Sequence, residues 1–497
     1  MPIKLSCWSL GLAFNLLFWL AAVALDFPRT YFDDSVIIGP AISIAETGLL
    51  RNPYLSRSFY PGDMYLFYPP GFFWVLGGWI ALFGKSVLSL ALFWAACGLI
   101  ASACLAVLLQ RLSGSKIAWA VAPLLVFGCI AYTGHRYEIL AFATFFAGLV
   151  LQTTRSRGVG YLLLILTPTI APTFLALCTV SVMAILAHRS RDRFAQEALL
   201  VLIGLTVASL TIVAGVGGDI AGLVETMYEY RSVRVGVGGR DIFNLKLIVA
   251  VISLNFLTAT CWLRLAGQDW RSLRFQLPLL LSLAMIATLV SHARPALIVA
   301  MNIASITLAA LAIGDALAAA GRRHARLRHI TGIMPALGLG SVGAILVALN
   351  TAYIRMVVVP PLNASMISAA QAAAALTPAG LVIVADPRVI KEALAFPSDR
   401  RVEDSMVRNP WPDYSVKFDA LPDDESWIIS RATLVATVDP ASMPTNGGGF
   451  FTVFVAAGID NLPNDSICRI DAKMAHAWDP ERPSALVEAA CPRDTAP

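Results

Sequence analysis

Long apolar runs separated by short polar connections dominate the chain. The runs lie at residues 5–25, 87–109, 117–132, 139–152, 161–186, 199–215, 245–263, 277–290, 296–320 and 333–353. A bilayer core is crossed by about 20 predominantly apolar residues in helical form. The pattern therefore predicts a polytopic α-helical membrane protein. The run at 161–186 contains Thr167-Pro168-Thr169 and Pro172, which favours two half-length helices meeting at a break.

The connection between the first two runs, residues 26–86, is unusually long. Long loops usually have a function, so we expect one for this connection. Residues 35–50 carry apolar side chains at helical spacing and predict a helix lying in the membrane interface. Residues 72–83 are apolar but too short to cross a bilayer. They predict a second in-plane or re-entrant helix within this first outer loop.

The basic residues test that interpretation of residues 72–83. If this segment does not cross, the basic residues fall on one side: Lys4, Arg111, Lys116, Arg155, Arg157 and the runs at 188–193, 264–274 and 322–328. The positive-inside rule makes that side cytoplasmic and gives about eleven transmembrane helices. If the segment crosses, the basic loops split between the two sides. The charge pattern thus favours the in-plane helix.

The same topology places five polar features together on the outer face. They are Asp33 and Asp34, the segment 135–138, the break at Thr167, the loop 217–241, and His292 with Arg294. Polar residues that are not basic anchors thus share one surface. We predict that this surface is the functional site.

Beyond the last run the composition becomes that of a soluble domain. Strand-like runs at 381–385, 427–429, 433–438 and 450–456 alternate with turns, and residues 365–376 predict a helix. We therefore expect a transmembrane domain at 1–356 and a small extracytoplasmic α/β domain at 357–497. Cys468 and Cys491 stand in this tail, where an oxidising compartment would permit a disulfide, although their spacing alone is weak evidence for one.

Composition narrows the function classes. The chain of 497 residues is 57% hydrophobic and only 14% charged, which excludes an ordinary soluble protein. Its net charge is +5, and the basic residues are spread over several loops on the predicted cytoplasmic side rather than gathered in one patch. This argues against a nucleic-acid partner. Neither a metal-ligand spacing nor a phosphate-binding loop is present, so we expect no metal and no cofactor, and a nucleotide-driven pump is disfavoured.

Asp33 and Asp34 are the candidate catalytic residues. A carboxylate just outside a membrane span can accept a proton from a hydroxyl group as a general base, and an adjacent acid raises its proton affinity. The alternative is that Asp34 caps the helix that follows it. Both roles can coexist in the pair.

The candidate substrate-binding residues include charged and aromatic groups. Arginine suits phosphate oxygens, and Glu138 can hold Arg136 or contact a sugar hydroxyl. Ion pairs that anchor helix ends are the alternative for these groups. Tyrosines of the first loop can stack on sugar rings or form an interfacial aromatic belt. The candidates are His135, Arg136, Glu138, Arg231, His292, Arg294, Tyr54, Tyr60, Tyr65, Tyr68 and Trp74.

These motifs resemble the GT-C superfamily of polyprenyl-phosphate-sugar-dependent glycosyltransferases, such as protein O-mannosyltransferases and the lipid A aminoarabinose transferase. The resemblance lies in Asp33-Asp34, the Ala41-to-Gly48 segment with Glu46, Tyr68-Pro69-Pro70-Gly71, and Phe83-Gly84. Arg136-Tyr137-Glu138 matches a second-loop motif, and His292-Ala293-Arg294-Pro295 a later arginine turn. Two positions differ: Tyr68 replaces the lysine of the aminoarabinose type, and Asp34 replaces a glutamate.

The resemblance implies an inverting transfer at the outer face of the membrane, expected to be a bacterial inner membrane. The donor would be a polyprenyl-phosphate sugar, the acceptor a hydroxyl of a glycan, lipid or protein, and Glu46 would bind substrate. A lipid-linked glycan polymerase or ligase is one alternative, although such enzymes typically carry their large loop late in the chain. A secondary transporter or flippase is another, but few charges lie within the spans and no repeat is evident.

Overall fold

The structure is a computed structural model of the whole chain. It describes residues 7–28, 34–54, 66, 68–113, 118–130, 135–226 and 389–397, together with 367, 371, 383–385, 402–404, 432–433 and 456–457. The predicted spans between residues 245 and 353 lie outside these described residues, as do Cys468 and Cys491.

Nine α-helices make up the described residues of the predicted transmembrane domain. They are α1 (Cys7–Ala24), α2 (Asp34–Thr47), α3 (Gly71–Phe83), α4 (Val87–Ser113), α5 (Ala118–Ile130), α6 (Glu138–Gln152), α7 (Arg157–Ile170), α8 (Leu175–Ala187) and α9 (Arg191–Gly215). A short 3-10 helix, Pro172–Phe174, separates α7 from α8. The helical character predicted from the apolar runs is therefore confirmed for the part of the chain that the structure describes.

Two of the described helices are long and apolar enough to cross a membrane. They cover Val87–Leu108 within α4 and Arg193–Gly215 within α9, whereas the other apolar helices are shorter. Large apolar side chains on α9, including Leu199, Leu202 and Leu210, point outward and are more than half exposed. A surface of this kind suits contact with lipid better than contact with water. The predicted number of about eleven spans stays a prediction.

The predicted break in the fifth apolar run is present, one turn later than Pro168. The helix α7 continues through Pro168 to Ile170, and Ala171 then adopts an extended conformation with φ −136° and ψ 105°. Pro172 accounts for this position, since a proline disfavours helical backbone in the residue before it. The two helices on either side have 14 and 13 residues, which confirms the prediction of half-length helices.

The predicted first outer loop, residues 26–86, contains the two short helices expected from its sequence. The helix α2 matches the predicted helix at 35–50, and α3 matches the apolar segment at 72–83. They pack closely: a Cβ added to Gly77 on α3 would lie 3.0 Å from the carbonyl oxygen of Ala41 on α2. With 13 residues, α3 is about 20 Å long, shorter than a bilayer core of about 30 Å.

Aromatic packing between α1 and α4 forms the core of the bundle. The Trp19 ring lies 5.1 Å from the Trp94 ring, and Trp19 Nε1 donates a hydrogen bond to Ser102 Oγ at 2.9 Å. A Cβ on Gly98 would lie 2.5 Å from the Trp19 ring, so this helix contact depends on a glycine. The core thereby fixes the frame from which the loops project.

The described tail segments contain both strand and helix. Strand β1 (Ile383–Ala385) lies within the predicted strand at 381–385 and pairs in parallel with β2 (Val402–Asp404). Strands β3 (Ala432–Thr433) and β4 (Ala456–Ala457) pair antiparallel and overlap the edges of two further predictions. Residues Val389–Ala393 form one turn of π-helix. The predicted strand at 427–429 lies outside the described residues.

Candidate functional site

One end of the helix bundle carries basic residues from three predicted cytoplasmic connections. Glu197 on α9 accepts hydrogen bonds from Arg157 at 3.2 Å, Arg189 at 2.7 Å and Tyr161 at 2.6 Å. Arg111 donates to Thr153, which lies shortly before Arg157 in the sequence. These arginines are thus gathered at one end of the bundle, where they tie α4, α7 and α9 to their neighbours.

At the other end, the start of α3 brings the predicted outer features together. A Cβ on Gly71 would lie 2.6 Å from Thr169 Oγ1, next to the helix break. A Cβ on Gly215, where α9 ends, would lie 2.5 Å from the Pro70 ring, and Trp74 Nε1 donates to the Gly215 carbonyl at 3.4 Å. The helix α7, about 20 Å long, separates this end from Arg157.

Asp34, His135 and Lys391 form a buried cluster at this end. Lys391 Nζ lies 3.0 Å from Asp34 Oδ2 and 3.2 Å from His135 Nδ1. His135 Nδ1 is 3.4 Å from the same Asp34 oxygen, and the His135 backbone N–H approaches Asp34 Oδ1 at 3.5 Å. All three side chains are at most 3% exposed. Residues from the first loop, the segment 135–138 (the predicted second outer loop) and the tail therefore meet at one point.

The local fold of α2 holds Asp34 in place. Pro40 lacks the N–H that would bond to the Val36 carbonyl, and Asn52 Nδ2 approaches that oxygen at 3.4 Å and the Ser35 carbonyl at 3.3 Å. A Cβ on Gly39 would lie 2.3 Å from Asn52 Oδ1, so the close approach of Asn52 requires a glycine. The first turn of α2, which begins with Asp34, is thus fastened to the chain that follows the helix.

Lys391 comes from a tail segment that packs against the first loop. Tyr54 donates a hydrogen bond to the Pro397 carbonyl at 3.4 Å, and its ring lies 5.6 Å from the ring of Phe396. Gln371 donates to the Ala393 carbonyl at 3.0 Å. Sequence reasoning missed Lys391. The available signal was weak: Lys391 stands beside Glu392 in a segment, Val389 to Phe396, whose other six residues are apolar.

The charges in the cluster follow from burial and from neighbouring groups. Burial alone would raise the pKa of Asp34, but the Lys391 ammonium and the His135 contact outweigh it and lower that pKa to about 2. Burial and the Lys391 charge lower the pKa of His135 to about 4, against the opposing effect of Asp34. At neutral pH, Asp34 is therefore ionised and His135 is neutral.

A second polar group surrounds Arg136. Its Nε lies 3.2 Å from both carboxylate oxygens of Glu138, and Nη2 donates to the Tyr137 hydroxyl at 3.1 Å. The Tyr137 ring in turn lies 5.3 Å from the ring of Tyr68. Glu138 thus holds Arg136, one of the two roles expected for it, and Tyr68 joins the same group of residues.

Other candidates lie elsewhere or beyond the described part. Glu46 is near the opposite end of α2, about 18 Å along the helix from Asp34, where it pairs with Lys85 at 2.7 Å. Its substrate-binding role stays a prediction. Asp33, Tyr60, Tyr65, Arg231, His292 and Arg294 lie outside the described residues.

Among the described residues no group of three or more His, Cys, Asp or Glu side chains is placed to hold a metal ion. The chemistry available to the described site is that of a carboxylate, an imidazole, an ammonium and a guanidinium.

Comparison with known proteins gives no match: no protein-family model, no curated protein and no solved structure matches the chain.

Proposed function

We propose that the protein is an inverting membrane glycosyltransferase of GT-C type, with about eleven transmembrane helices and its tail domain on the outer face of a bacterial inner membrane. It moves a sugar from a polyprenyl-phosphate donor to a hydroxyl group of a glycan, lipid or protein acceptor. The single observation that carries this proposal is the contact between Asp34 of the first loop and His135 of the second outer loop. These residues meet at the end of the bundle opposite Arg157 and Arg189, as the proposed topology requires.

The reaction needs a proton acceptor and a place for the leaving phosphate. The acceptor hydroxyl attacks the anomeric carbon, its proton passes to a carboxylate of the Asp33–Asp34 pair, and the bond from that carbon to the phosphate oxygen breaks. The products are the inverted glycoside and polyprenyl monophosphate. Arg136, about one eighth exposed at its side chain and fixed by Glu138, is suited to stabilise the phosphate charge without a metal.

The pKa of Asp34 bears on which acid is the base. A carboxyl group with a pKa of about 2, bound to an ammonium group, takes up protons poorly at neutral pH. This favours Asp33 as the base and gives Asp34 the role of holding the two loops together.

The aromatic rings of Tyr68 and Tyr137, with Tyr60 and Tyr65 from the sequence prediction, supply surfaces on which a sugar can stack.

Proteoliposomes containing the purified protein test the proposal. They are loaded with polyprenyl phosphates bearing different radiolabelled sugars and with candidate acceptors. A glycosyltransferase releases label from the lipid and leaves polyprenyl monophosphate. A flippase moves the labelled lipid between leaflets intact, so movement without cleavage would contradict the proposal. Protein-free liposomes report the spontaneous loss of label.

A further inference from the structure

A buried cation from the tail lies inside the proposed site, and the reaction described above does not use it. The Lys391 side chain is 2% exposed, and its Nζ contacts both the Asp34 carboxylate and the His135 imidazole. Burying a lysine is unfavourable unless it is paired, and here Asp34 supplies the opposite charge. The contact between Lys391 and His135 is not needed for that charge balance. It affects instead which nitrogen of the imidazole carries the proton.

The Lys391 contact determines which nitrogen of His135 carries the proton. An ammonium group has three N–H donors and no acceptor, so the 3.2 Å contact is a hydrogen bond only if Nδ1 accepts it. A proton on Nδ1 would face the Asp34 oxygen at 3.4 Å, but it would also face the ammonium group at the shorter distance. The geometry therefore favours the tautomer with the proton on Nε2.

Nε2 lies at the opposite edge of the imidazole ring. It is buried, and it has no hydrogen-bond partner among the described residues. A buried N–H donor without an acceptor is unfavourable, and such groups usually have a partner when the protein is in its working state. This nitrogen is a donor suited to an acceptor oxygen that the described residues do not provide.

We propose that Lys391 is a positioning residue that holds His135 in the Nε2–H tautomer, so that His135 donates a hydrogen bond to an oxygen atom of the lipid-linked sugar. The tautomer rests on the contacts of Nδ1 with Lys391 and Asp34. The substrate oxygen as its acceptor rests on the proposed glycosyltransferase function. The tail is then part of the catalytic site rather than an independent appendage.

The charged groups around His135 support a neutral imidazole. Among the described residues, the charged side chains that contact its ring are Asp34 from α2 and Lys391 from the π-helix, while Arg136 and Glu138 on its own segment pair with each other. Burial and Lys391 lower the pKa of His135 to about 4, and Asp34 acts in the opposite direction. Removing the Lys391 charge should therefore raise the pKa of His135.

Nitrogen NMR of histidine-labelled protein in nanodiscs measures the tautomer directly. Spectra of the wild type, Lys391→Arg and Lys391→Met are compared at pH 7 and through an acid titration, with His135→Asn used to assign the signal. We expect protonated Nε2 and bare Nδ1 in the wild type, little change in Lys391→Arg, and a higher His135 pKa in Lys391→Met. Protonated Nδ1 in the wild type would overturn the proposal, whatever the variants do.

Two substitutions at His135 separate a donor at Nε2 from mere space filling. The amide nitrogen of glutamine reaches the position of Nε2, whereas that of asparagine reaches the position of Nδ1. His135→Gln should keep most of the transfer activity, and His135→Asn should lower kcat/KM roughly 10-fold or more. Equal losses in both variants, with unchanged thermal unfolding, would contradict the donor role.

Binding measurements identify the oxygen atom. If His135→Asn weakens binding of polyprenyl monophosphate, the acceptor is a phosphate oxygen. If it weakens binding of the sugar-bearing donor alone, the acceptor is a sugar oxygen. No effect on either ligand would overturn the donor role. If the wild type transfers no sugar, the glycosyltransferase proposal fails while the tautomer result still decides the role of Lys391.

Discussion

Among single residues, the buried pair of Asp34 and Lys391 is the contact with the largest expected effect on stability. Replacing Lys391 by methionine leaves a buried carboxylate without its cation, and breaking such a pair typically costs about 3–5 kcal/mol. Lys391→Met should lower the free energy of unfolding in detergent micelles by that order. The double variant with Asp34→Asn should recover much of the loss, because the uncompensated charge is gone.

A second lysine provides the matched control. Lys85 pairs with Glu46 at 2.7 Å, but both side chains are a quarter or more exposed. Exposed pairs contribute about 0–1 kcal/mol, so Lys85→Met should change stability little. Equal effects of the Lys391 and Lys85 substitutions would show that the tail lysine is not buried against Asp34.

The pKa values of the cluster predict how stability depends on pH. His135 has a pKa of about 4 in the folded chain against an ordinary value of 6.5, so the unfolded chain binds the extra proton first. Stability should fall as pH drops from about 6.5 to 4. The Asp34 pKa, about 2 against an ordinary 3.8, predicts a further loss from about 3.8 to 2. Chemical unfolding across this range should show the first loss in the wild type and not in His135→Asn; parallel curves would refute the assignment.

The sequence predicted part of this cluster. Counting spans placed Asp34 and His135 on the same face, 101 positions apart, and the structure brings them together. Lys391 could not be placed in the same way, because no local periodicity tells which surface a short tail segment contacts. The distance of Glu46 from the cluster could not be predicted either. A sequence motif does not show whether a helix runs towards a site or away from it.

Among the elements, the close packing of α3 against α7 is expected to hold the proposed site in place. Gly71 begins α3, and a Cβ there would lie 2.6 Å from Thr169 Oγ1 and 2.7 Å from the Thr169 carbonyl oxygen. Since backbone must move to relieve the contact, Gly71→Ala should destabilise the protein by about 1–3 kcal/mol and lower transfer activity. Thermal unfolding and the transfer assay measure the two effects.

Gly78 on the same helix is the control for that substitution. A Cβ at this position would have nothing within 4 Å, so Gly78→Ala should be neutral or stabilising by up to about 1 kcal/mol. If both substitutions behave alike, the close packing of α3 against the helix break is wrong.

Patterns within single segments predicted the elements well. The apolar spacing at 35–50 and the short run at 72–83 correspond to α2 and α3, and Pro172 predicted the break before α8. The ends were less predictable. The helix α9 begins at Arg191, within a run of basic residues that the hydropathy pattern assigned to a connection. Glu197 in the first part of this helix forms ion pairs with Arg157 and Arg189. A hydropathy pattern does not predict such pairs.

In the molecule as a whole, the two charged clusters of the described residues, one around Glu197 and one around Asp34, lie at opposite ends of the bundle. The proposed topology gives each end a side of the membrane. An alkaline phosphatase reporter inserted after Ser156 should be inactive in bacterial cells, and one inserted after Gly218 should be active. A green fluorescent protein at the same two positions should give the opposite result. Matching signals at both positions would contradict the assignment of the first-loop end to the outer face.

We propose that the acids of the first loop carry out sugar transfer, and the activities of Asp33→Asn and Asp34→Asn measure their contribution. Purified variants in proteoliposomes are assayed for release of radiolabelled sugar from polyprenyl phosphate. We expect Asp33→Asn to abolish transfer with little change in thermal unfolding, and Asp34→Asn to impair both transfer and stability. If both variants, and the double variant, retained wild-type transfer, the first loop would not be the catalytic element.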